Sequence, residues 1–166
     1  MAIAVRVQPG EFDPGVELAA LRIGKPEVGG IASFIGIVRD VNGVAGEQAA
    51  VGSLTLEHYP GMTERALEAI CDEACGRWAL IDVLVIHRYG TLLPTDPIVF
   101  VAASAAHRGE AFAACSFVMD YLKTQAPFWK KETTDRGPRW VESRDSDAVA
   151  ARKWDAAAPG ASKEPA

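Results

Sequence analysis

Residues 98–125, IVFVAASAAHRGEAFAACSFVMDYLKTQ, carry the pattern that decides the fold. Ile98 to Ser104 is a short run of β-branched and small apolar residues, the signature of a buried strand. From His107 to Gln125 the period changes. Ala111, Cys115, Val118 and Leu122 fall on one helical stripe, and Pro127 stops the helix because the residue before a proline avoids helical geometry.

Upstream, Ile81 to Arg88 (IDVLVIHR) reads as a second buried strand, and residues 92–96 as a loop containing Pro94. Leu67, Ile70, Ala74 and Trp78 mark another long helix, opened by the Pro60-Gly61 turn with Thr63 as its expected N-cap. Ser53 to Tyr59 alternates as a half-buried strand does. Residues 41–52 read as a flexible loop. Gly29 to Asp40 reads as a long strand with Gly36 a candidate bulge. Closer to the N-terminus come a short helix near Val16 to Ile23 and a strand over residues 3–8, ended by Pro9-Gly10. Downstream, two strand-like pieces lie near 128–133 and 139–142. The order predicts an α+β fold, two long helices against a mostly antiparallel sheet. Residues 1–154 are expected to form one domain, and 155–166 (DAAAPGASKEPA) have the composition of a disordered tail.

With 166 residues, 49% hydrophobic and 23% charged, the composition is that of an ordinary globular protein. A net charge of −5 argues against general nucleic-acid binding. The three cysteines, Cys71, Cys75 and Cys115, sit at helical core spacings and suggest a reducing compartment rather than a disulfide framework. The N-terminal stretch MAIAVRVQPGEF lacks the features of a signal peptide, and no apolar run reaches the ~18 residues of a membrane span. A cytoplasmic location is expected. Neither a phosphate-binding GxxxxGK[ST] loop nor a zinc-type CxxC occurs.

Candidate chemistry concentrates at the two ends of the 107–125 helix. His107 and Arg108 lie at its N-terminus, where free N–H groups and the dipole favour an anion; they serve equally well as a solvated arginine and a capping histidine. Lys123 lies at the other end, and Lys130 and Lys131 follow beyond the Pro127-Phe128-Trp129 linker. A lysine among apolar groups suits acid/base work, whereas a basic helix C-terminus that satisfies the dipole is the simpler account. Arg108 and Lys123 are 15 positions apart, roughly 22 Å along an unbroken helix. One small substrate cannot reach both, so either two copies of the chain build the site or one end is idle. Arg39 at a strand end beside a loop is a further ligand candidate. Glu57 and His58 could act as acid or base, or anchor a turn. The cysteines read as small apolar side chains, without the electropositive setting of a nucleophile.

The segments LTLEHYPGMTE (54–64), VIHRYG (85–90), SAAHR (104–108), MDYLKTQAPFWKKE (119–132) and RWVESR (139–144) closely resemble the large, catalytic subunit of molybdopterin synthase. The resemblance runs in order from about residue 3 to 154. It implies an α/β hammerhead fold and a homodimeric core with a small ubiquitin-like subunit docked at each end, a heterotetramer. It implies a sulfurtransferase of molybdenum cofactor biosynthesis that converts cyclic pyranopterin monophosphate (precursor Z) to molybdopterin. No cofactor is bound permanently and no metal is implied; the sulfur arrives on the partner's C-terminal thiocarboxylate.

Residue by residue, the resemblance makes Lys123 and Lys130 the catalytic lysines. It makes Arg39, His107 and Arg108 anion contacts, the latter two in the pocket of the opposite protomer. Arg144 matches a further basic pocket residue, and Lys131 and Glu132 continue the substrate-contacting run. Phe34, Met119 and Phe128 line the pocket. Ile37 stands where relatives often carry lysine, so contact from Ile37 and Val38 would come from backbone. Two other classes of function remain open: a non-catalytic receptor for a ubiquitin-like sulfur carrier, and a phosphoesterase using His58 or His107. The first needs neither lysine, and the second has no metal-ligand spacing behind it.

Overall fold

The computed structural model describes residues 2–42, 49–141 and 145–155. Nine strands and four helices occur among them: β1 (Ala2–Gln8), α1 (Pro14–Ala20), β2 (Gly30–Ile37), β3 (Val41–Asn42), β4 (Ala49–His58), α2 (Met62–Arg77), β5 (Leu80–Arg88), β6 (Gly90–Leu92), β7 (Pro97–Ala105), α3 (Arg108–Gln125), β8 (Phe128–Thr134), β9 (Gly137–Val141) and α4 (Asp145–Arg152). The strands form two sheets. The first has the order β1-β5-β7-β2, with β1 parallel to β5 and the other pairs antiparallel. The second runs β3-β4-β8-β9, with β6 also on β4, and is antiparallel throughout. The α+β reading holds, with two sheets in place of one.

The first sheet is covered on both faces, which explains the near-continuous apolar runs of β5 and β7. Val83, Val85, Val101 and Ala103 face α2 and α3, where they meet Leu67, Ile70, Ala74, Phe117 and Val118. The alternate residues Leu84, Ile86, Phe100 and Ala102 face Phe12 and Leu21 around α1. A smaller core of Val38, Leu54, Leu56 and Leu92 underlies the second sheet. Gly36 does mark a bulge: the β2–β7 register shifts between Gly36 and Ile37.

Several local expectations are corrected. Thr63 is not the N-cap of α2. Gly61, at φ 78°, takes that place, and its N–H donates to the Glu64 carboxylate at 2.6 Å. Thr63 is buried instead. Its hydroxyl accepts from Tyr59 N–H and donates to the Pro127 carbonyl, tying the start of α2 to the α3–β8 linker. The first helix starts at Pro14 because Asp13 caps it, accepting from the N–H groups of Gly15 and Val16. Of the expected 41–52 loop, Val41–Asn42 are β3 and 49–52 already belong to β4; residues 43–48 lie outside the described residues. Helix α4 was not expected. Trp154, just beyond it, packs against Trp78 and Phe117 and donates from Nε1 to Asp120 at 2.8 Å, while Tyr121 donates to Asp155. The expected tail begins at Asp155, and residues 156–166 lie outside the described residues.

Candidate active site

The C-terminal turn of α3 and the two sheets enclose a cleft of about 600 Å³. Helix α3 delivers Met119, Leu122 and Lys123 to it. The end of β2 and the residues after it deliver Phe34, Ile37, Val38 and Arg39. Strand β8 delivers Phe128, Lys130 and Glu132. Nine of the residues singled out in the sequence therefore meet in one place: both catalytic candidates, four of the substrate-binding candidates and all three pocket-lining ones.

Four do not. Strand alternation turns Lys131 to the opposite face of β8, where its ammonium lies 5.7 Å from the centre of the Trp140 ring. His107 and Arg108 stand at the far end of α3, which runs unbroken from Arg108 to Gln125, and neither lines the cleft. His107 is the N-cap by position, but its side chain makes no capping hydrogen bond. Arg144 lies outside the described residues.

The charges are arranged with both signs. Lys123 Nζ sits 3.7 Å from the Asp147 carboxylate on α4, and about half of the lysine side chain is open to solvent. Glu132 is buried and is held by Arg139, from Nε at 3.0 Å and from Nη2 at 2.9 Å. Lys130 and Arg39 complete the basic lining. Two titratable members of the cleft were missed in the sequence. Asp147 rides on α4, whose signal was a basic last turn at Arg152. His87 follows Val83 and Val85 on the helix-facing side of β5. It is buried, its Nδ1 is hydrogen-bonded to the Arg88 carbonyl at 2.9 Å, and its ring stacks on Phe128 with centroids 3.7 Å apart. Burial pulls its pKa down to about 3; the nearby charges of Lys130 and His58 act in the same direction, against the bond to Arg88.

The cysteines stay outside this chemistry. Burial pushes the Cys71 thiol up to about 12 and Cys115 up to about 11, and it raises Cys75 as well. Thiols held protonated in this way are poor nucleophiles. Among the described residues, no cluster of three or more His, Cys, Asp or Glu side chains is placed to hold a metal ion. Among the described residues, no helix is long and apolar enough to cross a membrane.

A cleft lined by two lysines, an arginine and two carboxylates over an aromatic floor defines an α+β protein with a charged pocket of small-molecule size. Comparison with known proteins narrows that class. The chain belongs to the MoaE protein family, whose model matches residues 7–125. It is 59% identical over 150 residues to the molybdopterin synthase catalytic subunit of Ralstonia nicotianae, an alignment covering 90% of this chain and 83% of that one. Among solved structures, the molybdopterin biosynthesis MoaE protein from Burkholderia ambifaria superposes with a TM-score of 0.78 at 54% identity, covering 95% of this chain and 100% of that one. A Helicobacter pylori chain, solved in a protein–protein complex of subunits 1 and 2 of molybdopterin-converting factor, shares the fold at a TM-score of 0.67 and 18% identity, over 84% of this chain and 91% of that one.

Proposed function

We propose that this chain is the catalytic subunit of a molybdopterin synthase. It transfers two sulfurs from the thiocarboxylated C-terminus of a small ubiquitin-like subunit to cyclic pyranopterin monophosphate. The observation that carries this reading is the convergence of Lys123, from α3, and Lys130, from β8, in one cleft with Arg39. Burial raises all three cysteine thiols, which supports a sulfur nucleophile that arrives from outside the chain.

The thiocarboxylate is an anion, and Lys123, half open to solvent, is placed to receive it. Its sulfur attacks a side-chain carbon of the pterin, the C–O bond at that carbon breaks with its oxygen leaving as water or as the freed phosphate oxygen, and a thioester then joins the partner's terminal carbonyl to the substrate. Water then adds to that carbonyl. The C–S bond to the partner breaks, the partner departs as a carboxylate, and the sulfur stays on the pterin. Lys123 and Lys130 stabilise the oxyanion formed during hydrolysis. A second loaded partner repeats the sequence, and the cyclic phosphate opens. Holding the phosphate on fixed cations keeps the intermediate bound between transfers.

His107 and Arg108 enter this scheme from a second copy of the chain. Three features favour a homodimer. The unbroken α3 holds Arg108 and Lys123 roughly 22 Å apart. Strand β2 is an open edge of the first sheet. Phe34, Ile35 and Ile37 on that strand, and Phe112 on the adjoining α3, are exposed large apolar residues.

A sulfur-transfer assay tests the proposal. Purified chain, precursor Z and thiocarboxylated small subunit are mixed, and molybdopterin is detected by the fluorescence of its oxidised derivative. Product that requires all three components and disappears with Lys123→Ala supports the reading. A stable complex with the small subunit but no product would replace it with the receptor reading.

A further inference from the structure

Lys25, Asp82 and Ser104 form a polar network that the scheme above does not use. Asp82 and Ser104 are buried. Lys25, on the linker between α1 and β2, donates from Nζ to Asp82 Oδ2 at 2.5 Å. The Ser104 hydroxyl accepts from the Asp82 N–H at 3.0 Å and donates to the same Asp82 oxygen at 3.3 Å. The network stands at an irregularity in the sheet, where the β5–β7 register shifts between Leu80 and Asp82. Desolvation offsets much of the attraction in such a pair. Its main effect is to oppose any arrangement that leaves the buried carboxylate without its donors.

That arrangement lies under the start of α3. Ser104 comes three residues before His107, near the end of β7. The linker that carries Lys25 turns through the Val28 N–H bond to the Lys25 carbonyl, and Gly29 N–H then donates to the Ala105 carbonyl at 3.0 Å. The backbones meet closely there. A Cβ at Gly29 would lie 2.0 Å from the Ala106 carbonyl oxygen, and one at Gly30 would lie 3.6 Å from the Arg108 Cα. Residues 106–109 are themselves exposed, and the N-cap His107 makes no side-chain capping bond. The direction of His107 and Arg108 is therefore set from beneath, by the end of β7 and the linker packed on it.

We infer that Lys25, Asp82 and Ser104 are positioning residues for His107 and Arg108, and through them for the anion site of a second copy of the chain. The inference rests on the two-copy reading above for its catalytic consequence, but not for its geometry. None of the three residues lines the cleft of its own chain, so their effect on turnover acts across the dimer.

The test uses full-length chains with loaded small subunit. Lys25→Met removes the ammonium, Lys25→Arg keeps the ion pair, and Lys25→Met/Asp82→Asn removes both charges should the single change fail to fold. The expected result in Lys25→Met or the double variant is a rise in KM for the pterin on the order of 10-fold, as for a misplaced charge-assisted hydrogen bond. The value of kcat stays within about twofold, because a phosphate held away from the reacting carbon is bound equally in ground and transition states. Lys25→Arg stays near wild type. The deciding readout is a mixed dimer, purified with two different tags, of Lys25→Met and Lys123→Ala chains. Its one competent site takes Lys123 from the first chain and His107 and Arg108 from the second, so it should show the wild-type KM. A merely structural defect would stay with the cleft of the Lys25→Met chain and keep the raised KM. That result, or a wild-type KM in both Lys25→Met and the double variant, would overturn the inference.

A second readout needs no turnover. Amide hydrogen exchange in Lys25→Met should lose about 10-fold in protection at Gly29 and at residues 111–113, the first hydrogen-bonded amides of α3, with residues 119–125 unchanged. Unchanged protection at residues 111–113, or an equal loss at both ends of α3, would also overturn it. A mixed dimer of Arg108→Ala and Lys123→Ala chains serves as control. If that control regains no activity while exchange at residues 111–113 responds as expected, the positioning role stands and the two-copy reading fails.

Discussion

His87 makes a quantitative demand on stability. In the folded chain its pKa lies at about 3, from an ordinary value of 6.5, with burial as the main cause. The unfolded chain therefore binds a proton below about pH 6.5 that the folded chain refuses until near pH 3. Stability from this group is fully present above 6.5 and is lost as pH falls towards 3. At pH 5 the unfolded side gains about 2 kcal/mol relative to pH 7, from 2.303RT per unit of pH over that interval. Carboxylates and His58 titrate too, so the measurement has to be a difference. His87→Phe removes the titrating ring and keeps an aromatic in the Phe128 stack. Urea unfolding at one protein concentration, at pH 7 and pH 5, gives the stability gap between wild type and variant. That gap should move by about 2 kcal/mol in favour of the variant at pH 5. A gap equal at the two pH values would mean that the folded chain protonates His87 near pH 6, and the argument from its burial would be wrong.

Three further outcomes follow from local geometry. Gly29→Ala should destabilise the fold by about 1–3 kcal/mol, because the new Cβ would lie 2.0 Å from the Ala106 carbonyl oxygen, which is backbone and cannot swing away; thermal melting reads it. Thr95→Gly should raise stability by about 1 kcal/mol. This exposed threonine is held at φ 79°, in the left-handed region, by a turn whose N–H donates to the Val38 carbonyl at 2.9 Å, and glycine relieves the Cβ clash without losing that bond. Asp147→Asn should change stability by less than about 1 kcal/mol, since its partner Lys123 is half exposed and at 3.7 Å. Chemical denaturation checks both of these.

Lys123 and Lys130 could be named from the sequence because each sits in a long motif, and Phe34, Arg39, Met119 and Phe128 came with them. The absence of His107 and Arg108 from the cleft was also foreseeable, since the rise of an α-helix fixes how far apart the two ends of α3 must lie. The orientation of Lys131 was available in principle. Period-two alternation forbids Lys130, Lys131 and Glu132 from facing one cleft together, and the structure turns Lys131 onto Trp140. His87 and Asp147 were harder to see. His87 continues an apolar strand, and nothing local distinguishes a core histidine from one that lines a cavity. Asp147 sits on a short helix whose place depends on Trp154 reaching Trp78, Phe117 and Asp120.

The identity of the longer strands and helices, the burial of β5 and β7, the bulge at Gly36 and the resemblance to the molybdopterin synthase large-subunit family were determined by the sequence itself. Each depends on periodicity or on residue order within a few turns of chain. Only the tertiary structure decided that the strands form two sheets, that the cleft opens where both meet the end of α3, and that His87 lies against Phe128 some forty positions away. Those outcomes follow from which apolar faces bury against each other, a property of the whole chain that no local window contains.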